Sequence, residues 1–120
     1  MPPNRGADLK GNFMQIQLQA FGRKSISLRK AITDDLNKYE HEMLRIEEMR
    51  NPDRNPGWAK ISGIGVPGAL NIEWDASAHM LLARAITRKL NTPHKLLGVF
   101  LDYLIERHGK QITSINIQLR

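Results

Sequence analysis

The 120-residue chain contains no cysteine. That excludes disulfides, thiolate zinc centres and cysteine nucleophiles, and it fits a reducing, cytoplasmic setting. No apolar run reaches the roughly 20 residues that a membrane-spanning helix needs, so a membrane partner is not expected. The opening Met1-Pro2-Pro3-Asn4-Arg5-Gly6 lacks the apolar centre of a secretory signal, and residues 1–11 read as a short disordered lead. Aromatic side chains are scarce, at 6%, which leaves few platforms for stacking nucleobases. Repeats of solenoid length and low-complexity tracts are also missing.

Acidic side chains are outnumbered 12 to 18 by Lys and Arg, for a formal net charge of +6. The excess is uneven. Residues 1–27 carry four basic and one acidic side chain, and residues 76–120 carry seven and two. The middle of the chain is nearly balanced. If the two end segments lie side by side, their charge gathers into a field that attracts polyanions such as nucleic acid.

Hydrophobic periodicity supplies the architecture. In residues 12–20, Met14, Ile16, Leu18 and Ala20 alternate with Gln15, Gln17 and Gln19, the period of a strand. Gly22-Arg23-Lys24-Ser25 breaks it, and Ser27 is placed to cap a helix. Leu28, Ile32, Leu36, Tyr39, Met43 and Ile46 trace one helical stripe, so the helix is expected over residues 28–50, stopped by Asn51-Pro52. A competing arrangement pairs 13–20 with 24–30 as a hairpin before a shorter helix. A glycine-rich loop follows, holding a short, edge-like strand near 58–64. Leu70, Ile72 and Trp74 alternate with polar neighbours. Asp75-Ala76-Ser77-Ala78 makes a turn, and residues 79–88 return as the partner strand rather than as a helix. Thr92 and Pro93 mark the start of a second helix, and Gly109 marks its end. Ile115, Ile117 and Leu119 form the inward face of a last strand.

The order strand, helix, strand, strand, helix, strand is the βαββαβ pattern of a ferredoxin-like α+β sandwich. Residues 12–120 are therefore expected to form a single α+β domain, with a four-stranded antiparallel sheet and two helices on one face. Ile16, Leu18, Ile72, Trp74, Ile115 and Ile117 would pack on Leu36, Met43, Leu97, Phe100 and Leu104.

The search for chemistry returns little. His41, His79, His94 and His108 lack metal-ligand spacing. His41-Glu42 starts like a zinc-protease motif, but Arg45 stands where the second histidine belongs. His108 reads as a dipole-compensating residue at a helix end, and His94 as a solvated one. Asp34-Asp35 and Glu47-Glu48 are adjacent on a helix and diverge; Asp34 would meet Lys38, and Asp35 would meet Lys38 or Tyr39. Gly63 to Gly68 resembles a phosphate loop, yet it leads into a strand and Pro67 removes a donor, so a tight turn is expected. No cofactor is indicated.

The leading reading is a small non-catalytic binding or accessory module. It would touch nucleic acid phosphates through Arg23, Lys24, Arg29, Lys30, Arg84, Arg88, Lys89 and Lys95 without stacking bases. The alternative is a protein–protein interaction or regulatory module acting as a homodimer. Its bare sheet face would show Gln15, Gln17, Gln19, Asn116 and Gln118, together with Asn71, Glu73 and Arg120. Phe13 and Phe21 would cap the core at the ends of that face. A small enzyme is the third reading.

Overall fold

The computed structural model describes residues 15–23, 26–48, 58–86 and 93–119. Its strands are β1 (Gln15–Gly22), β2 (Leu44–Glu48), β3 (Ala59–Gly63), β4 (Ala69–Asp75), β5 (Met80–Ile86) and β6 (Ile112–Leu119). The helices are α1 (Leu28–Lys38), between β1 and β2, and α2 (Pro93–His108), between β5 and β6. All neighbours pair antiparallel in one six-stranded sheet of order β2-β3-β4-β5-β1-β6. The four-stranded ferredoxin-like sandwich is thus incorrect. The four strands it required are present, but two more, β2 and β3, extend the sheet.

The error has a local cause. The helix expected over 28–50 stops at Lys38. The Tyr39 N–H closes the last turn on the Asp35 carbonyl, and Tyr39 itself is extended at φ −120° and ψ 131°. Nδ1 of His41 then accepts the N–H groups of Met43 and Leu44, which turns the chain into β2. Leu44 and Ile46 face the core while Arg45 and Glu47 are exposed. Two apolar residues two apart fit a strand as well as they fit the edge of a helical stripe. Tyr39 and Met43, assigned to the buried stripe, are exposed.

Other features follow the sequence. The Ser27 hydroxyl accepts the Lys30 N–H at 3.1 Å and starts α1 at Leu28, which rules out the hairpin arrangement. Asp75 Oδ1 accepts from the N–H groups of Ser77 and Ala78, so β4 and β5 form the expected hairpin. The strand near 58–64 is β3, but it lies inside the sheet between β2 and β4 rather than at an edge. Gly65 and Gly68, with φ of 77° and 108°, carry the turn from β3 to β4. The Thr92 cap, Met14, Phe13 and the lead at residues 1–11 lie outside the described residues.

Both helices cover one face of the sheet. Ile16, Leu18, Ala20, Ile61, Leu70, Ile72, Leu81 and Ala83 point into the core beneath Leu28, Ile32, Leu96, Phe100 and Leu104. α1 packs over β2, β4 and β5, and α2 over β4, β5 and β1. Neither helix has β6 among its principal neighbours. Ile117, expected in the core, is therefore 42% exposed, and Ile115 is only half-buried. Trp74 and Leu36 also sit at the core margin. Among the described residues no helix is long and apolar enough to cross a membrane.

Candidate functional site

The densest polar cluster joins the two helices. Tyr103 donates its hydroxyl to Asp35 Oδ2 at 2.7 Å, and His108 Nε2 lies 3.0 Å from the same hydroxyl. Arg107 grips the carboxylate from outside, with its terminal nitrogen 2.6 Å from Oδ1 and Nε 3.3 Å from Oδ2. The His41 ring meets Tyr103 edge-on at 5.5 Å. Since Tyr103 gives its proton to Asp35, its lone pair accepts the Nε2–H of His108.

The electrostatics fix these protonation states. The hydrogen bond from Arg107, then that from Tyr103, holds the Asp35 carboxyl below its ordinary range against the cost of burial. Burial, then the hydrogen bond to Asp35 and its charge, pushes the Tyr103 phenol far up. Burial lowers the His108 imidazole, partly offset by Asp35. The cluster is an anion, a neutral hydroxyl and a neutral imidazole that satisfy one another. It offers neither an activated nucleophile nor a free base; it clamps α1 to α2. The Asp35 carboxylate meets Tyr103 and Arg107 rather than Lys38 or the Tyr39 side chain, and His108 is a buried neutral partner rather than a dipole-compensating charge. Asp34 pairs with Lys30 rather than Lys38. Among the described residues no three His, Asp or Glu side chains converge as a metal site requires.

The basic residues nominated from sequence are scattered. Arg23, in the turn after β1, donates Nε to the Lys110 carbonyl at 3.0 Å. With Ile26, Lys110 and Gln111 it lines a small pocket of about 170 Å³. Arg29 and Lys30 begin α1, where Arg29 meets the Thr33 hydroxyl and Lys30 is paired with Asp34 at 3.0 Å. Arg84 lies mid-strand on the uncovered face, 3.7 Å from Glu73. Lys95 begins α2 and shares a broad groove with Glu40, Glu42, Asp102 and Glu106. Lys24, Arg88 and Lys89 lie outside the described residues. The described residues hold ten basic and ten acidic side chains, so the +6 excess resides entirely in the remainder of the chain.

The bare sheet face is organised in rows. Lys60, Asn71, Arg84, Gln17 and Gln118 stand opposite one another from β3 to β6, and Leu82, Gln19 and Asn116 form a neighbouring row. Gln15 begins the same face of β1, and Glu73 sits across from Leu82. Amides bridge the outer strands, from Gln17 to Gln118 at 3.4 Å and from Asn116 to Gln19 at 3.0 Å. Phe21 is not a core cap; it faces this side opposite Met80. Arg120 lies outside the described residues.

The feature that sequence reasoning did not single out is the β6 edge. Ile115, Ile117 and Leu119 stand opposite Ala20, Leu18 and Ile16, so they continue the helix-side face of β1. Ile117 is 42% and Leu119 76% exposed. Leu101 and Ile105 lie on the flank of α2 opposite Tyr103 and Arg107, away from α1, and Ile105 is 58% exposed. The strand Ile112-Thr113-Ser114-Ile115-Asn116-Ile117-Gln118-Leu119 has no charge, proline or glycine. That run was the available signal: native edges are ordinarily blunted by charge, proline or shortness.

No protein-family model, no curated protein and no solved structure matches the chain.

Proposed function

We propose that this chain is a non-catalytic protein–protein interaction module that works by strand addition at the β6 edge of its sheet. The observation that carries the reading is an eight-residue, uncharged edge strand whose helix-side Ile117 and Leu119 are left exposed. An added strand would take up the backbone N–H and C=O groups that β6 directs away from β1, and its alternate side chains would cover Ile117 and Leu119. The internally satisfied Asp35–Tyr103–His108 cluster supports the non-catalytic part.

Titration with an uncharged alternating Thr–Val peptide, read by amide hydrogen exchange, tests the reading. With the chain dilute enough to be monomeric, slowed exchange within Ile112–Leu119 is the expected result. Protection on the bare face or at β2, or no protection at millimolar peptide, would refute it.

Contact with nucleic acid is the second reading, favoured by the charge. The excess sits in segments that include Arg88, Lys89, Arg5 and Lys10, and residues 14, 87 and 120 adjoin Gln15, Ile86 and Leu119 at one end of three neighbouring strands. This mode predicts affinity that falls steeply with salt and varies little with sequence. Binding to a DNA or RNA oligonucleotide that is insensitive to salt would remove it.

A further inference from the structure

We infer that the strand added at β6 is β6 of a second copy of this chain, in an antiparallel pair about a two-fold axis at Asn116. The inference rests on the edge reading above and commits it to one partner.

Self-pairing is selective about chemistry. Two copies joined edge to edge within one sheet are related by a two-fold axis perpendicular to that sheet, so both keep their helices on the same side and each residue meets one of its own face. With the axis at Asn116, residues 113–119 all find partners. Ile115 then stands opposite Ile117 of the second copy, twice over, on the helix side. Ser114 stands opposite Gln118 and Asn116 opposite itself on the amide-rich side. Ile meets Ile and amide meets hydroxyl or amide, pairs that stabilise antiparallel sheets, and Leu119 stands opposite Thr113.

Charge points the same way. In self-pairing a charge on the axis meets its own copy, and like charges opposite one another destabilise a sheet. The described residues of β6 carry none. The opposite edge, β2, is five residues long and constrained by charge: an axis at Arg45 or Glu47 would set like against like, and only the axis at Ile46, which sets Arg45 against Glu47, avoids this. Leu119, 76% exposed, would lose part of that exposure to the second copy's strand.

The absence of cysteine makes the test clean. Opposite residues of an antiparallel pair have Cα atoms about 4.5–5.5 Å apart, within disulfide reach. A single Asn116→Cys substitution should therefore give a covalent dimer on mild oxidation. Ser114→Cys should not, because its two copies would lie about 13 Å apart along the strands. Light scattering of the intact chain should give a mass near twice 13.7 kDa. Asn116→Lys should halve it, and mixing Asn116→Lys with Asn116→Asp should restore it. Asn116 is exposed, so an unchanged melting curve in dilute solution shows that these variants fold.

A dimer mass that survives Asn116→Lys, or one in which Ser114→Cys crosslinks as well as Asn116→Cys, would overturn the pairing. A monomer mass at all concentrations would overturn the second copy. The Thr–Val peptide then decides whether the edge reading survives alone. A monomer with β6 amides already protected would assign the edge to residues 1–14 of the same chain and overturn the inference too.

Discussion

The two edges of this sheet are built from the same backbone and end in opposite chemistry. β2 is five residues long, carries Arg45, Glu47 and Glu48, and lies beneath α1, which buries Leu44. β6 is eight residues long, carries no charge, has neither helix among its principal neighbours, and leaves Ile117 and Leu119 exposed. The first edge is short, charged and covered, as the edge of a sheet that must not grow. The second retains what makes edges adhesive. The difference follows from topology: the helices pack over β2, β4, β5 and β1, β3 lies between β2 and β4, and the order β2-β3-β4-β5-β1-β6 leaves β6 outside them.

The comparison presumes one core beneath both edges, and Phe100 tests that most severely. It is fully buried on α2, among residues facing the central strands. Phe100→Ala should cost about 3–5 kcal/mol, a large share of an ordinary domain's stability. Denaturant unfolding with exchange read at both edges checks it. If β2 opened while β6 stayed protected, the two halves would be separate folding units.

Leu44 tests the covered edge. Leu44→Ala removes a side chain that is 3% exposed, and the expected loss is about 2–5 kcal/mol. A negligible change in the urea midpoint would show that α1 does not seal β2.

The clamp on the β2 side comes next. Tyr103→Phe keeps the ring against Phe100 and His41 but deletes the hydroxyl that joins Asp35 to His108. A buried imidazole N–H is left without its partner, at about 1–3 kcal/mol. Acid should weaken the same clamp in two stages. The His108 imidazole is held below its ordinary value of 6.5. The folded state therefore resists its protonation, and stability falls as the pH drops below about 6.5 toward the lower folded value. Asp35 is held below 3.8, so its contribution is intact above that value and is lost as the pH falls through the folded one. His108→Asn should remove the upper stage, measured as urea midpoint against pH. An identical profile in that variant would place the transition elsewhere.

Much of this was legible locally. The Ser27 cap, the Asp75 turn, the run from Pro93 to His108 and the alternation in β1 and β4 are set by residues within one or two turns of each other. The bare amide face of Gln15, Gln17, Gln19, Asn116 and Gln118 follows from period two alone. What failed was non-local. Leu36, Tyr39, Met43 and Ile46 make an apparent helical stripe, and nothing nearby in sequence announces that the chain leaves it at Tyr39. The partners of Asp35 lie 68 and 72 residues away. The exposure of Ile117 could not be read from its alternation with Asn116 and Gln118, because it depends on which strands the helices cover.

The smallest expected effect is the one that separates the edges most sharply. Leu119→Ala is the same chemical change as Leu44→Ala, on the same face of the same sheet, at the opposite margin. Leu119 is 76% exposed, so little apolar surface returns to water when it is truncated. In solution dilute enough for the chain to be monomeric, the loss should stay within about 0.5 kcal/mol. At high concentration the pairing inferred for β6 would cover Leu119, and the same substitution should then lower the melting temperature below that of the unaltered chain by an amount that grows with concentration. Melting curves across a hundredfold range of concentration make the comparison. Equal, concentration-independent losses for Leu44→Ala and Leu119→Ala would erase the distinction between the edges. A loss confined to Leu44→Ala at every concentration would leave β6 an ordinary exposed strand.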